Sequence, residues 1–141
     1  MKIPSGIRIY GDTEYRNKVC PKESSEQVTF ISRIRSSYPN SYGIIAFHAK
    51  NEGLITGGQF SAISKNRAMG LAIGCSDIII PGSPTFVCEI KRRDHTLSRI
   101  SEEQVEYLLA CQMAGAFACI ALGCDAATEA FNVWRLKNGR G

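Results

Sequence analysis

Apolar side chains recur at helical spacing in the first readable part of the chain, which follows about twenty residues without a clear pattern. Val28, Ile31 and Ile34 fall three residues apart, as on one face of a helix. Ser24 and Gln27 have capping-box spacing, in which each side chain bonds the backbone of the other residue. The pattern therefore predicts a first helix that begins near Ser24 and ends at the Pro-Asn pair after it.

Three later segments also have helical patterns. The clearest covers residues 101–114 and opens with a second capping-box pair, Ser101 and Gln104. A weaker pattern covers residues 59–69 and stops at a glycine. The last begins at Asp125, the predicted cap, and runs toward residue 136.

Segments rich in β-branched and aromatic residues lie between these helices. Residues 42–48 and 117–122 predict single strands, and residues 77–80 and 85–91 flank a Pro-Gly-Ser-Pro turn that predicts an antiparallel hairpin. The strand-helix-strand connection that follows is expected to be parallel. The sequence thus predicts an α/β fold, with a central mixed β-sheet flanked by helices.

The second hairpin strand carries an acid and a base on one face. Glu89 and Lys91 are two residues apart, so both side chains leave the same side of a strand. Asp77 stands directly opposite Glu89 if the hairpin loop has an odd number of residues, whereas a four-residue loop pairs it with Cys88. We expect an odd loop or a bulge, although an exposed strand pair is the plainer interpretation of Glu-x-Lys alone.

Two directly opposed carboxylates suit a divalent cation. Their Cβ atoms lie about 4.5–5.5 Å apart in an antiparallel pair, and without a cation their mutual repulsion raises one pKa. Oxygen ligands favour Mg²⁺ or Mn²⁺. Such an ion acidifies water and polarises a phosphoryl group, while Lys91 could position that water or stabilise developing negative charge. This chemistry is phosphodiester hydrolysis.

The run GCSDIIIPGSPTFVCEIKRR resembles the PD-(D/E)XK nuclease core and, more narrowly, the VRR-NUC family of phage proteins and DNA-repair nucleases. The family also has a leading helix with a glutamate, an Asn-Glu-Gly loop and Ser-x-x-Gln after the Glu-x-Lys strand. This chain has these elements at Glu26, residues 51–53 and residues 101–104. The resemblance covers about residues 24–134 and departs from the family at Ser76, where proline is usual.

The resemblance implies a restriction-endonuclease-like core with an antiparallel hairpin that carries the active site, in one domain spanning residues 1–141. Residues 1–23 are left as an extension of unassigned role. Asp77, Glu89 and the backbone carbonyl of Ile90 would bind metal. Glu26 would add an outer or second-metal contact, and Gln104 would orient its neighbours. Glu26 could instead be an acid favoured by the helix dipole, and Gln104 only the capping partner of its helix.

Several cations could contact phosphates around this site. The predicted DNA-binding residues are Lys65, Arg67, Arg92 and Arg93, with His95 and Arg99 nearby. A solvated charged surface is an equal alternative for this set. His48 follows a predicted strand near the site and is assigned a structural role. Because no zinc finger or recognition-helix pattern is visible, shape or backbone recognition is expected.

Composition sets broader limits. The net charge of +4 is compatible with a polyanionic partner but does not require one. The six cysteines have no C-x-x-C spacing and are interpreted as reduced core thiols rather than a zinc site. No apolar run reaches membrane-spanning length and the N-terminus does not read as a secretory signal, so a cytoplasmic protein is expected, in the host cytoplasm if a phage encodes it.

The residues and the resemblance together predict a Mg²⁺- or Mn²⁺-dependent deoxyribonuclease. Small stand-alone members of the family look like homodimers that cut branched DNA such as four-way junctions, which is the preferred specific function. Alternatives are a general nicking endonuclease or exonuclease, and a non-catalytic DNA-binding protein on a nuclease scaffold. A cysteine-based redox or metal protein would need close cysteine pairs or an activated thiol, which the spacing does not suggest.

Overall fold

A four-stranded mixed sheet forms the centre of the computed structural model, which describes residues 1–49 and 60–137. Its strands are β1 (Arg8–Tyr10), β2 (Ile78–Ile80), β3 (Phe86–Lys91) and β4 (Phe117–Leu122). They lie side by side in the order β1-β4-β3-β2. β2 and β3 are antiparallel, whereas β4 is parallel to both β3 and β1. The predicted hairpin, the last strand and the mixed strand directions are confirmed.

Helices cover both faces of this sheet. The described helices are α1 (Glu23–Ser37), the short α2 (Tyr42–Ile45), α3 (Phe60–Ala68), α4 (Glu102–Met113) and α5 (Cys124–Lys137), with a 3₁₀ turn at His95–Leu97. α4 begins with the predicted capping box, since Ser101 Oγ accepts from the Gln104 N–H and the Gln104 side chain accepts from the Ser101 N–H.

Two apolar cores lie on opposite faces of the sheet. On one face, α1 and α5 pack Phe30, Phe131 and Trp134 against Phe86 of β3. On the other face, Leu108 of α4 packs against alternate residues of the central strands, Val87, Ile120 and Leu122. Because side chains alternate along a strand, Glu89 and Lys91 share the α4 face with Val87.

The predicted strand at residues 42–48 is wrong. Residues Tyr42–Ile45 form α2, and only Phe47 pairs with the sheet, as an isolated antiparallel bridge to Ile79. The Tyr42 ring packs edge-on against Phe131 and Trp134, at centroid distances of 5.3 and 5.4 Å. This aromatic cluster holds the segment as a helical turn despite its β propensity, which is a weak preference that packing can override.

The first helix begins earlier than predicted, and its buried face matches the predicted one only in part. Its cap is Lys22, which makes no side-chain capping bond, so the Ser24–Gln27 capping box is not formed. The buried side chains are Glu26, Phe30 and Ile34, and Val28 is 69% exposed. Ile34 is thus buried as predicted, and Ile31 packs partly buried against the core, whereas Val28 lies outside the buried face. A buried glutamate takes a place on that face, which an apolar pattern cannot indicate.

Two smaller differences concern the ends of the chain. β1 was missed, because a three-residue strand is too short to show a period, and it makes the N-terminal extension part of the sheet. Asp125 does not precede the last helix, which begins at Cys124, and it instead bonds Arg33 at 2.8 Å. The predicted Asn-Glu-Gly loop at residues 51–53 lies outside the described residues.

The cysteine interpretation is confirmed in part. All six cysteines are free, and Cys20, Cys88 and Cys119 are buried. The other three are only partly buried, so they are not all core thiols. Within the described residues, no helix is both long and apolar enough to cross a membrane.

Gly74→Ala should destabilise the protein more than Gly70→Ala. Both glycines have positive φ, +75° and +111°, which an alanine tolerates poorly. A Cβ at position 74 would also lie 2.4 Å from the backbone carbonyl oxygen of Glu103 in α4, whereas a Cβ at position 70 would meet no atom of the described residues within 4 Å. We expect a cost of about 1 kcal/mol at Gly70 and at least about 2 kcal/mol at Gly74, measured by urea unfolding. Equal costs would contradict the close approach of this segment to α4.

Candidate active site

The hairpin places Asp77 opposite Glu89. Five residues, 81–85, separate the paired strands, and the register sets Ile80 opposite Phe86 and Ile78 opposite Cys88. One step outward, the same register brings Asp77 to the position across from Glu89 on the α4 face. The predicted odd loop is thus confirmed, and the two carboxyl groups occupy one side of the sheet.

Asp77 is held by one backbone donor and one side-chain donor. Its Oδ2 accepts a hydrogen bond from the Ile90 N–H at 2.8 Å, and its own carbonyl oxygen accepts one from His48 Nδ1 at 2.7 Å. The Ile90 N–H points toward Asp77, and in an extended strand the carbonyl of the same residue points to the same edge. The Ile90 carbonyl therefore faces the edge where Asp77 lies, as a metal-binding role would need.

Glu89 is almost completely buried, with 1% of the residue exposed. Its Oε1 accepts a hydrogen bond from Gln104 Nε2 at 2.8 Å and lies 3.4 Å from Lys91 Nζ. Its Oε2 is buried and has no hydrogen-bond partner among residues 1–49 and 60–137. Such an atom costs about 1–3 kcal/mol unless something outside the protein binds it.

Gln104 joins the helix start to the site. Its Oε1 accepts from the Ser101 N–H at 3.0 Å and from Lys91 Nζ at 3.3 Å, while its Nε2 donates to Glu89. The capping and orienting roles, which the sequence offered as alternatives, are therefore both present in one side chain.

Glu23 lies at the site and was missed from the sequence. Its Oε1 is 3.8 Å from Lys91 Nζ, and its Oε2 accepts a hydrogen bond from Ser98 Oγ at 2.9 Å. The Ser98 hydroxyl in turn accepts from the Arg92 N–H at 2.9 Å. Because Glu23 and Glu26 both fall in the first turn of α1, the sequence alone could not tell which of them faces Lys91.

Glu26, the predicted helix glutamate, lies against α5 instead. It is 7% exposed, and its Oε2 accepts a hydrogen bond from the Cys124 N–H at 2.7 Å. A carboxylate at that position satisfies an open N–H of the helix and interacts favourably with the helix dipole. The capping function predicted for Asp125 is thus performed by a residue from another helix.

Burial dominates the electrostatics of the carboxyl pair. The pKa of Glu89 is raised to about 8, first by burial and then by the negative charge of Asp77, against the opposing effect of Lys91. Burial also raises the pKa of Asp77, although the Ile90 N–H and Lys91 oppose this. The two groups cannot both ionise easily unless an added cation compensates them.

These residues fit a hard divalent cation. The site offers two carboxyl groups, one of them with a buried oxygen that no described residue contacts by a hydrogen bond, and the Ile90 carbonyl at the same edge. No three His, Cys, Asp or Glu side chains converge in residues 1–49 and 60–137 to form a larger ligand set. Mg²⁺ commonly binds in this way, through one or two carboxylates with water and substrate phosphate completing the shell.

The predicted phosphate-binding residues fall into two groups. Lys65 and Arg67 are exposed on α3. Arg92 is partly buried and donates to the carbonyl oxygens of Cys20 and Pro21, and the exposed Arg93 stacks over the Tyr15 ring at 4.1 Å. His95 is buried, with Nε2 donating to the Thr13 carbonyl at 3.0 Å, whereas Arg99 is exposed. Arg92 and His95 therefore bond the N-terminal segment and do not form part of an open basic surface.

The mixed sheet with its antiparallel hairpin, flanked by helices on both faces, has the architecture of the restriction-endonuclease-like fold class. A solved structure described as "VRR_NUC domain protein" has the same fold, with a TM-score of 0.60 over 79% of this chain and 86% of that chain, at 18% sequence identity. The predicted fold of a VRR-NUC nuclease domain is confirmed. No protein-family model and no curated protein matches the sequence.

Glu89→Gln should reduce a pH dependence of stability. The pKa of Glu89 is about 8 in the folded protein, against 4.5 as its ordinary value. Between these values the folded chain keeps a proton that the unfolded chain releases, so stability falls as the pH rises, by up to about 1.4 kcal/mol per pH unit. Urea unfolding in EDTA at pH 5, 6.5 and 8.5 should show this fall in wild type and a smaller one in Glu89→Gln, in which burial still raises the pKa of Asp77.

The matched control is Glu106→Gln, a change at an exposed glutamate of α4, which should keep the wild-type pH dependence. Adding Mg²⁺ at pH 8.5 should restore stability to wild type and leave Glu89→Gln unchanged. If the free energy of unfolding changed with pH in the same way in wild type and Glu89→Gln, the pKa of Glu89 would not be raised in the folded protein.

Proposed function

We propose that this protein is a Mg²⁺- or Mn²⁺-dependent endonuclease that hydrolyses DNA phosphodiester bonds. The observation that carries the proposal is the buried Glu89 Oε2, which has no partner in the described part of the chain, on the face that Asp77 shares and with Lys91 beside it. A site with two acids of raised pKa is costly for the isolated protein, which favours a function over a structural role. The nuclease-domain fold supports the same conclusion.

Asp77, Glu89 and the Ile90 carbonyl would hold the cation. When bound, it supplies Lewis acidity that polarises a phosphoryl oxygen and makes a water molecule more acidic. The Ile90 N–H keeps the Asp77 carboxyl in place through its 2.8 Å hydrogen bond, and Gln104 does the same for Glu89. Both acids are therefore set in position before any substrate arrives.

Lys91 is the proposed cation next to the scissile phosphate. It is 3% exposed, and its ammonium group lies near three oxygens, those of Gln104, Glu89 and Glu23, at 3.3, 3.4 and 3.8 Å. These contacts keep its charge inside the site, where it can orient a water molecule or stabilise negative charge that develops on the phosphate. Glu23 would hold Lys91 and, as a further carboxylate, could contact a second cation.

For the substrate, we propose branched DNA, cut by a homodimer that presents two sites to two strands. The exposed cations Lys65, Arg67, Arg93 and Arg99 would contact phosphates, which set affinity and position rather than sequence choice. The alternatives are a general nicking endonuclease or exonuclease, and a DNA-binding protein without activity. The intact set of Asp77, Glu89 and Lys91 disfavours the last. A cytoplasmic location stays a prediction.

Cleavage of a labelled four-way junction, beside linear duplex and single-stranded DNA, tests this function. Wild type should cut the junction symmetrically with Mg²⁺ or Mn²⁺ and not with EDTA. Glu89→Ala should lower the rate at least about a hundredfold, because it removes a ligand of the catalytic ion. Glu106→Ala, at an exposed glutamate of α4, is the matched control and should cut normally.

Each other outcome selects an alternative. Cutting of all three substrates would leave a general nuclease. Tight binding without cleavage would favour the non-catalytic scaffold, and cleavage in EDTA would exclude the proposed use of the carboxyl pair.

The two helix glutamates should separate activity from stability. Glu23→Gln should lower the cleavage rate about tenfold with little change in unfolding, because a partly exposed carboxylate beside Lys91 is lost. Glu26→Gln should lower the free energy of unfolding by about 0.5–1 kcal/mol and leave the cleavage rate of the folded protein nearly unchanged, because it removes a negative charge at the start of α5. Single-turnover rates and urea unfolding of both variants provide the measurement. If Glu26→Gln lowered the cleavage rate more than Glu23→Gln does, Glu26 rather than Glu23 would act in the site.

A further inference from the structure

A tight turn lies next to the site, immediately before α1. The Cys20 N–H donates to the Asn17 carbonyl at 3.1 Å, and the Val19 N–H donates to the Asn17 side-chain oxygen at 3.0 Å. The side chain of Asn17 thus mimics a backbone carbonyl and closes the turn from inside. We call residues 17–20 the N-terminal turn.

Residues that follow β3 bond both ends of this turn. The Asn17 N–H donates to Asp94 Oδ2 at 2.9 Å, and the Arg92 guanidinium donates to the carbonyl oxygens of Cys20 and Pro21. Asp94 is itself buried and also accepts from the Thr96 N–H and hydroxyl at 3.1 and 2.6 Å. The turn is therefore tied to positions one and three residues beyond Lys91.

The outer side of the N-terminal turn is apolar at its tip and basic around it. Val19 is 87% exposed, although its neighbour Cys20 is buried. Lys18 and Lys22 are exposed on either side, and residues 16–22 contain three cations and no acid. Arg16 is the third cation, but its guanidinium donates to the carbonyls of Thr13 and Tyr15, at 2.9 and 2.8 Å.

One exposed valine is ordinary on a protein surface. Val19 differs in that it projects, between cations, from a turn whose ends are bonded to Arg92 and Asp94, directly after β3. Only two residues separate Cys20 from Glu23, whose carboxylate lies 3.8 Å from Lys91 Nζ. An apolar side chain held in this way matches the wedges that some proteins insert where bases unstack, while lysines contact the adjacent phosphates.

We propose that the N-terminal turn binds DNA at a break in base stacking, with Val19 against the exposed base face and Lys18 and Lys22 on the flanking phosphates. The inference rests on the proposed function for its DNA substrate, and it assigns the preference for branched over linear DNA to this turn. Unstacking a base step in a uniform duplex costs a few kcal/mol, whereas at a branch point the continuous stack is already interrupted, so that a base there leaves its neighbours at lower cost. Val19 contacts would therefore favour branched over linear DNA.

Binding, rather than cleavage, tests this inference. A four-way junction with 2-aminopurine at the branch point and a linear duplex with the same label are titrated with the Glu89→Ala protein, which keeps the turn intact. We expect brighter fluorescence on junction binding, since the base analogue leaves its stack. Adding Val19→Ala should abolish most of this increase and lower the junction-to-duplex affinity ratio about tenfold, a change of 1.4 kcal/mol.

Two further variants are the controls. Val28→Ala makes the same change at another exposed valine, on α1, and should keep both the fluorescence increase and the affinity ratio. Lys18→Ala should weaken binding to both DNAs alike and make the affinity less dependent on salt, as expected for loss of one phosphate contact.

The outcomes separate this inference from the proposed function. If wild type cuts junctions but Val19→Ala behaves like Val28→Ala, the wedge is wrong and the nuclease stands. If Val19→Ala loses junction preference while wild type does not cut, the turn binds branched DNA and the catalytic proposal fails. Equal binding of both DNAs by the Glu89→Ala protein with its turn unchanged, or no binding, would overturn the inference.

Discussion

The antiparallel pairing of β2 with β3 is the constraint on which the site depends. With five residues in the loop, the register places Ile78 against Cys88 and the next position outward, Asp77, across from Glu89. A shift of one residue would turn Asp77 to the opposite face of the sheet, because side chains alternate along a strand. Both acids instead lie on the face that α4 covers, where burial raises the pKa of each of them.

The segment after β3 links the site to the N-terminus of the chain. Arg92, Asp94 and His95 each bond the backbone of residues 13–21, and the N-terminal amine donates to the His95 carbonyl at 2.9 Å. The same segment contributes Ser98, which holds Glu23 beside Lys91. The N-terminal extension is therefore a structural part of the site, and residues that follow β3 position the start of α1.

Local signals explain where prediction from sequence succeeded. The hairpin, the capping box of α4 and the strand Phe117–Leu122 each depend on residues close together in sequence, and each is present. Tyr42 shows the opposite case, because its segment has β propensity but packs as a helical turn against the rings of α5. The three-residue β1 gave no signal of its own, since it is defined by its pairing with β4.

The sequence by itself determined that Glu89 and Lys91 share one face, because residues two apart on a strand point to the same side. The odd loop that brings Asp77 to this face was an expectation, which the pairing of β2 with β3 decided. Tertiary structure decided which glutamate of α1 joins them. Glu23 and Glu26 share the first helical turn, but Glu26 bonds the start of α5 and Glu23 faces Lys91. That choice depends on how α1 packs between α5 and the end of β3, and contacts between residues about a hundred positions apart leave no local pattern in a sequence.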